Sequence, residues 1–276
     1  MTRRWRRFRD WPIRWKTLLV LVVSGALPLA AAIVFGLERG QAIMVEDATS
    51  VLRIQANELV DDLDDYQEGL LREAVRTARL SSVVALCDAP PAERDRLRAV
   101  VERDLGSFVA VTPDAVSAVL AGRDLAVLAA SNGPAAGHGV ASRPCLDRAL
   151  SGTPALSDVR VDPAAGAVVD YAAPVARGAS VAAAILVTVR AEGLWRLMRR
   201  RHGEAGGDSY FLLVDALGIR IGQSAGSSFL YHPLGALEPG AIDAAAAEGR
   251  FGERTRALLG SPAPFPEQHA RARAPT

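Results

Sequence analysis

From Thr17 to Leu37 the chain reads TLLVLVVSGALPLAAAIVFGL, twenty-one residues without a charge. As a helix this run measures about 31 Å, the depth of a bilayer core. Pro28 lies inside it, which a spanning helix tolerates better than a soluble one. From about Gln41 to Leu80 the pattern turns helical and amphipathic: Ala56, Leu59, Leu63, Tyr66 and Leu70 alternate spacings of three and four. Asn57, Glu58, Asp61, Asp62, Asp64 and Asp65 fall between them as a solvated face. Cys87 to Pro91 interrupts the helix, and Ala92 to Leu105 reads as a second, shorter one.

After Pro113 the period shortens. Val116 to Leu120 and Leu125 to Ala130 are strand-length runs around Gly122-Arg123-Asp124, a hairpin signal. A helical turn at Asp147 to Leu150 precedes apolar runs at Val159 to Val161, Val168 to Ala172 and Val181 to Val189, read as strands of one sheet. Glu192 to His202 is a basic helix, and Gly203 to Gly207 reads as a linker. Beyond it SYFLLVDALGIRIGQS echoes the upstream AVSAVLAGRDLAVLAAS, so two similar α+β subdomains are expected in tandem. The second is expected to be incomplete, because Gly260, Pro262, Pro264 and Pro266 replace any closing strands. The boundaries predicted are 1–16 basic N-terminus, 17–37 transmembrane helix, 38–82 long helix, 83–202 first subdomain and 208–276 partial second subdomain.

Half of the residues are hydrophobic, enough for a real core, and the net charge is only +1. The charge is uneven: Arg3, Arg4, Arg6, Arg7, Arg9, Arg14 and Lys16 face a single acid, Asp10, in the first sixteen residues. With Trp5, Trp11 and Trp15 at an interface, these cations place the N-terminus in the cytoplasm and all that follows Leu37 outside. A cleaved signal peptide, with Ala30, Ala31 and Ala32 as its cleavage site, is the alternative, and it leads to an exported periplasmic hydrolase. That hydrolase reading rests on Gly222-Gln223-Ser224-Ala225-Gly226, a match to the G-x-S-x-G elbow, which needs a helix after the serine and an Asp and a His downstream. Phe229-Leu230-Tyr231-His232-Pro233 is not a helix pattern. His138, His202, His232 and His269 stand apart, so no metal site is predicted. No cofactor motif and no nucleic-acid-binding face are indicated. Cys87 and Cys145 either form one disulfide in an exported domain or are two small buried apolar residues.

The order of apolar helix, long helix and hairpin, followed by SRPCLDRALSG, LSDVRVD, DYAAPV and AAAILVTV, resembles the double Cache extracytoplasmic sensors of bacterial histidine kinases, chemoreceptors and cyclases. The resemblance spans residues 17 to about 260. It implies a tandem PAS-like sensor on a membrane anchor, no enzymatic activity in this chain, a small-molecule ligand and a homodimer through the long helix. It also implies an output domain that this chain lacks, so the chain is expected to be a fragment or truncated product of a longer receptor. Arg143, Pro144, Ala149, Leu150, Gly152, Asp162, Pro174 and Val175 match the family pattern by position. The branch that binds amino acids has aromatic residues where this chain has Cys145 and Leu146, a Tyr where it has Arg160, and an Asp where it is apolar near Thr188. A clamp for a free amino acid is therefore not expected. Arg143 and Arg160 either hold a carboxylate or other anion, which guanidinium forks suit, or pair with Asp158 and Asp162. Cys145 and Asp162 complete the expected ligand set with Tyr171, which is preferred to its neighbour Asp170 because only one of two adjacent strand residues faces a pocket.

Overall fold

The computed structural model describes residues 12–132, 140–141, 143–178, 180–204, 206–207, 209–226 and 229–263, and leaves the side chains of 26, 27, 30, 31, 33–38 and 40–42 undescribed. The basic segment before Trp11, the tail after Ala263, His138 and His269 lie outside these residues. Two compact units divide the chain, Met1–Gln55 and Ala56–Thr276. Helix α1 runs over Ile13–Ala78 and carries Pro28 within it.

In the first unit α1 carries a run of exposed apolar side chains. Leu18, Val20, Leu21, Val22, Val23 and Leu29 all lie open, Leu21 at 74%. Among the described residues no helix is long and apolar enough to cross a membrane. The run from Thr17 to Leu37 falls partly on side chains outside the description.

The second unit is built on an antiparallel sheet. Helices α2 (Ser81–Asp88) and α3 (Pro91–Val111) follow α1, and α3 opens on a proline whose missing amide hydrogen costs a first turn nothing. Strands β1 (Ala115–Gly122) and β2 (Val127–Ala130) form the expected hairpin, its turn held by the Ala126 amide donating to Asp124 Oδ1 at 3.1 Å. Helix α4 (Pro144–Leu150) leads to β3 (Ala155–Leu156), β4 (Arg160–Asp162), β5 (Gly166–Arg177) and β6 (Ser180–Arg190). The strand order is β2-β1-β6-β5-β3, with β4 also paired to β5.

Period two sorts the sheet into faces. Leu120, Val169, Tyr171, Ala173, Ile185 and Val187 pack with Leu59 and Leu63 of α1, Leu86 of α2 and Leu105 of α3. Ala121, Ala172, Ala184 and Leu186 face the other way, onto Cys145, Leu146 and Ala149 of α4. Burying Leu146 completely is worth about 2 kcal/mol, which fixes α4 on that face.

Helix α5 (Glu192–Arg200) leaves β6, and Trp195 Nε1 donates to the Ile221 carbonyl at 2.8 Å. Ile221 lies in the echoed hairpin, β7 (Leu212–Val214) with β8 (Arg220–Gln223). Helices α6 (Pro239–Ala247) and α7 (Thr255–Leu259) follow, absent from the sequence reading. They enclose a small core of Ile219, Ala245, Phe251, Leu258 and Leu259.

Of the two readings of the cysteines, the disulfide is not formed. Both cysteines are free; Cys87 packs against the helix-covered face of the sheet and Cys145 sits under α4 on the other, so a sheet separates their sulfurs.

Candidate ligand-binding site

Antiparallel register puts Asp170 of β5 opposite Thr188 of β6, both on the α4 face. Asp170 is completely buried. A carboxylate there must be matched by donors, and it is. Thr188 Oγ1 donates to its Oδ1 at 2.7 Å. Arg160 makes a two-pronged contact, Nε to Oδ2 at 2.6 Å and Nη2 to Oδ1 at 3.0 Å. Arg143, just before α4, donates Nη1 to Oδ2 at 2.7 Å. The Asp170 amide donates to Ser157 Oγ, and the Ser157 amide donates to the Asp170 carbonyl, which ties β5 to the strand edge that carries Arg160.

Over this cluster lies a cavity of about 290 Å³ whose wall includes Arg143, Cys145, Ser157, Arg160, Glu248 and Arg250. The two arginines on the cavity wall are not equivalent. Arg160 spends its forked edge on Asp170 and reaches Asp162 with Nη1 at 3.4 Å, whereas Arg143 commits one nitrogen and is the more exposed, 26% against 16%. Among the described residues, Arg143 is thus the group with donors to spare.

Cys145 lines the cavity, and burial and then the nearby Asp170 carboxylate push its thiol up to about 11, so it is a neutral wall group at physiological pH. Asp162 is a turn residue: its Oδ1 accepts the amides of Ala164 and Ala165. Partial burial raises its carboxyl, and those two amides with Arg160 outweigh this, leaving it below the usual range.

Tyr171 is the expectation the fold overturns. Its neighbour has the α4 face, so Tyr171 points into the helix-covered core at 1% exposure, where burial raises its hydroxyl. Asp170 was passed over in favour of Tyr171, and Ser157, Thr188, Glu248 and Arg250 were not singled out. An acid inside Val168-Val169-Asp170-Tyr171 was the available signal, because an apolar strand rarely carries an unpaired charge. The pairing of Arg143 and Arg160 with Asp158 and Asp162 holds only for Arg160 with Asp162; the shared partner is Asp170.

The elbow-like serine has other work. Ser224 Oγ accepts the Phe211 amide at 2.8 Å and meets His202 Nδ1 at 3.2 Å. The chain then turns at Gly226 (φ 74°), and the next described helix begins at Pro239, so the strand-turn-helix context of a hydrolase elbow is missing.

No protein-family model matches the chain, and no curated protein does. Solved structures do. The sensor domain of the Vibrio cholerae histidine kinase DctB is 18% identical, with 78% of this chain and 80% of that one covered and a TM-score of 0.58. The ligand-binding domain of the Pseudomonas fluorescens chemoreceptor CtaA in complex with L-isoleucine is 14% identical, covering 71% of this chain and 76% of that one, TM-score 0.53. The sensory domain of the Campylobacter jejuni chemoreceptor Tlp3 is 12% identical over 72% of this chain and 81% of that one, TM-score 0.50. The fold of this chain is that of these bacterial sensor and ligand-binding domains.

Proposed function

We propose that this chain is the sensing part of a membrane-anchored signalling receptor and that it binds a small anion, such as a carboxylate, in the cavity beside α4. One observation carries the ligand class: two guanidinium groups share a single buried carboxylate at the cavity wall. Arg143 spends one nitrogen on Asp170, and its remaining guanidinium donors suit an oxyanion. The sensing role has the support of the fold shared with sensor and ligand-binding domains.

The test is thermal unfolding with sodium acetate and other sodium carboxylates, against sodium chloride at equal ionic strength. A bound anion raises the melting temperature by mass action. Arg143→Ala removes a charged hydrogen bond and weakens that anion by about ten- to a hundredfold. Equal melting curves in every salt, or an undiminished rise in Arg143→Ala, sinks the anion reading.

Membrane anchoring through 17–37 is part of the same proposal, because a solvated helix does not carry Leu18, Val20, Leu21, Val22 and Val23 all open to water. Exposed Met44 and Val51, and Val45 and Leu52, recur at seven residues, the repeat of a two-helix seam, and support a dimer through α1. The full chain is expected in the membrane fraction after alkaline carbonate washing, released by detergent as a dimer. Recovery as a water-soluble monomer rejects both.

A further inference from the structure

The cavity has a second set of walls. Glu248 and Arg250 come from the turn after α6, about ninety residues beyond Arg160 on β4 and more than a hundred beyond Arg143. Arg250 is 6% exposed and holds the chain on both sides of Arg160, at Val159 and at Val161 of β4. Its Nε donates to the Val159 carbonyl at 3.2 Å, and its own carbonyl accepts the Val161 amide at 2.7 Å. The same guanidinium meets two carboxylates, Nη2 lying 2.7 Å from Asp215 Oδ2 and 3.7 Å from Oδ2 of Asp158 on the cavity wall. Neither Nη2 nor Asp215 Oδ2, both buried, has a partner in hydrogen-bond geometry, so their contact is Coulombic. Asp215 in turn defines the β7–β8 turn: Oδ1 accepts the amides of Leu217 and Ile219 at 2.9 and 2.8 Å.

We propose that Arg250 is the positioning residue that couples occupancy of the anion cavity to the β7–β8 hairpin. This rests on the cavity being the ligand site. A ligand that draws on Arg143 or Arg160 changes how the guanidinium groups are shared around Asp170, and β4 carries Arg160. The staple passes any displacement of β4 to Asp215, because Arg250 binds the strand through both backbone and side chain and meets the turn through one charge. Coupling of this kind is reciprocal, so the hairpin biases the cavity by the same factor.

Hydrogen exchange in the peptide spanning β7 and β8 reads the coupling, with two perturbations of the cavity. One is sodium acetate. The other is Asp170→Asn, which needs no ligand; should that variant not fold, Thr188→Val, which takes one hydrogen bond from Asp170, replaces it. Each perturbation is expected to change exchange in the Asp215–Ile219 turn by about fivefold or more, and Arg250→Lys is expected to abolish the change. Arg250→Lys keeps the charge and loses the planar fork that holds Val159 and Asp215 together. An unchanged turn in the ligand-free variant, or an equal response with Arg250→Lys, overturns the coupling. A response to Asp170→Asn without one to acetate leaves the coupling standing and removes the anion reading instead.

Discussion

Arg160→Met lowers the unfolding free energy of the sensor unit by about 3–5 kcal/mol, the cost of leaving one partner of a buried ion pair behind. Asp170 has no exposure and Arg160 only 16%, so water does little to screen the loss. Methionine keeps much of the stem's volume and therefore isolates the charge from the packing. Two of the four side-chain hydrogen bonds on the Asp170 oxygens disappear, Nε to Oδ2 and Nη2 to Oδ1, while Arg143 and Thr188 remain. For a unit of this size the melting temperature falls by roughly 6–20 °C. Calorimetry on Arg160→Met, Asp170→Asn and the double variant makes the check sharper. The double variant is expected to be more stable than the sum of the singles predicts, since it buries no orphaned charge. A loss under about 1 kcal/mol, the value of an exposed pair, means that Arg160 is free for ligand and that the division of labour with Arg143 is wrong.

That division was only half legible in the sequence. Arg143 and Arg160 stood out because the family pattern places a binding segment around SRPCLDRALSG and LSDVRVD. The carboxylate they share did not, because parity along β5 says that Asp170 and Tyr171 face opposite ways without saying which way the cavity lies. That choice is made by α4, whose Cys145, Leu146 and Ala149 cover one face, and by Thr188, which meets Asp170 only once β6 is in register. Long elements with a clear period were readable: the α1 face at Leu59 and Leu63, the β1–β2 hairpin, β5 and β6. Helix α2 escaped because it has eight residues and follows α1 almost directly. Helix α6 escaped because Ala, Gly and Pro dominate its sequence and give little amphipathic contrast, and α7 because its five residues are too few to show a period. Glu248 and Arg250 join the cavity through tertiary packing alone, which no local pattern records.

Gly193→Ala is expected to destabilise the unit by about 3 kcal/mol, the upper range for an added methyl group in a packed contact. A Cβ at this position falls 2.0 Å from Tyr66 Oη, 2.6 Å from Tyr66 Cζ and 3.2 Å from Asp114 Oδ2. The tyrosine has nowhere easy to go. Its hydroxyl is buried without a partner, and burial followed by the Asp114 carboxylate raises its pKa. Arg196 of α5 holds Asp114 through both carboxylate oxygens at 3.1 Å, so the far side of the pocket around the ring is fixed as well. The clash is relieved only if α5 lifts from α1, against the grip of Arg201 on Asp62 and Glu58. Tyr66→Phe alone is expected to be neutral or slightly stabilising, since it deletes an unsatisfied buried hydroxyl. It cannot rescue Gly193→Ala, because Cζ remains too close. Tyr66→Leu, which removes the ring end, is expected to recover most of the loss, and a double variant no better than Gly193→Ala alone would reject the steric account. Gly193 lies five residues past Thr188, the donor to Asp170 on β6. The absence of a side chain there is what lets α1 pack against the first turn of the helix that continues the cavity strand, so the long helix and the site are joined through a contact with no slack.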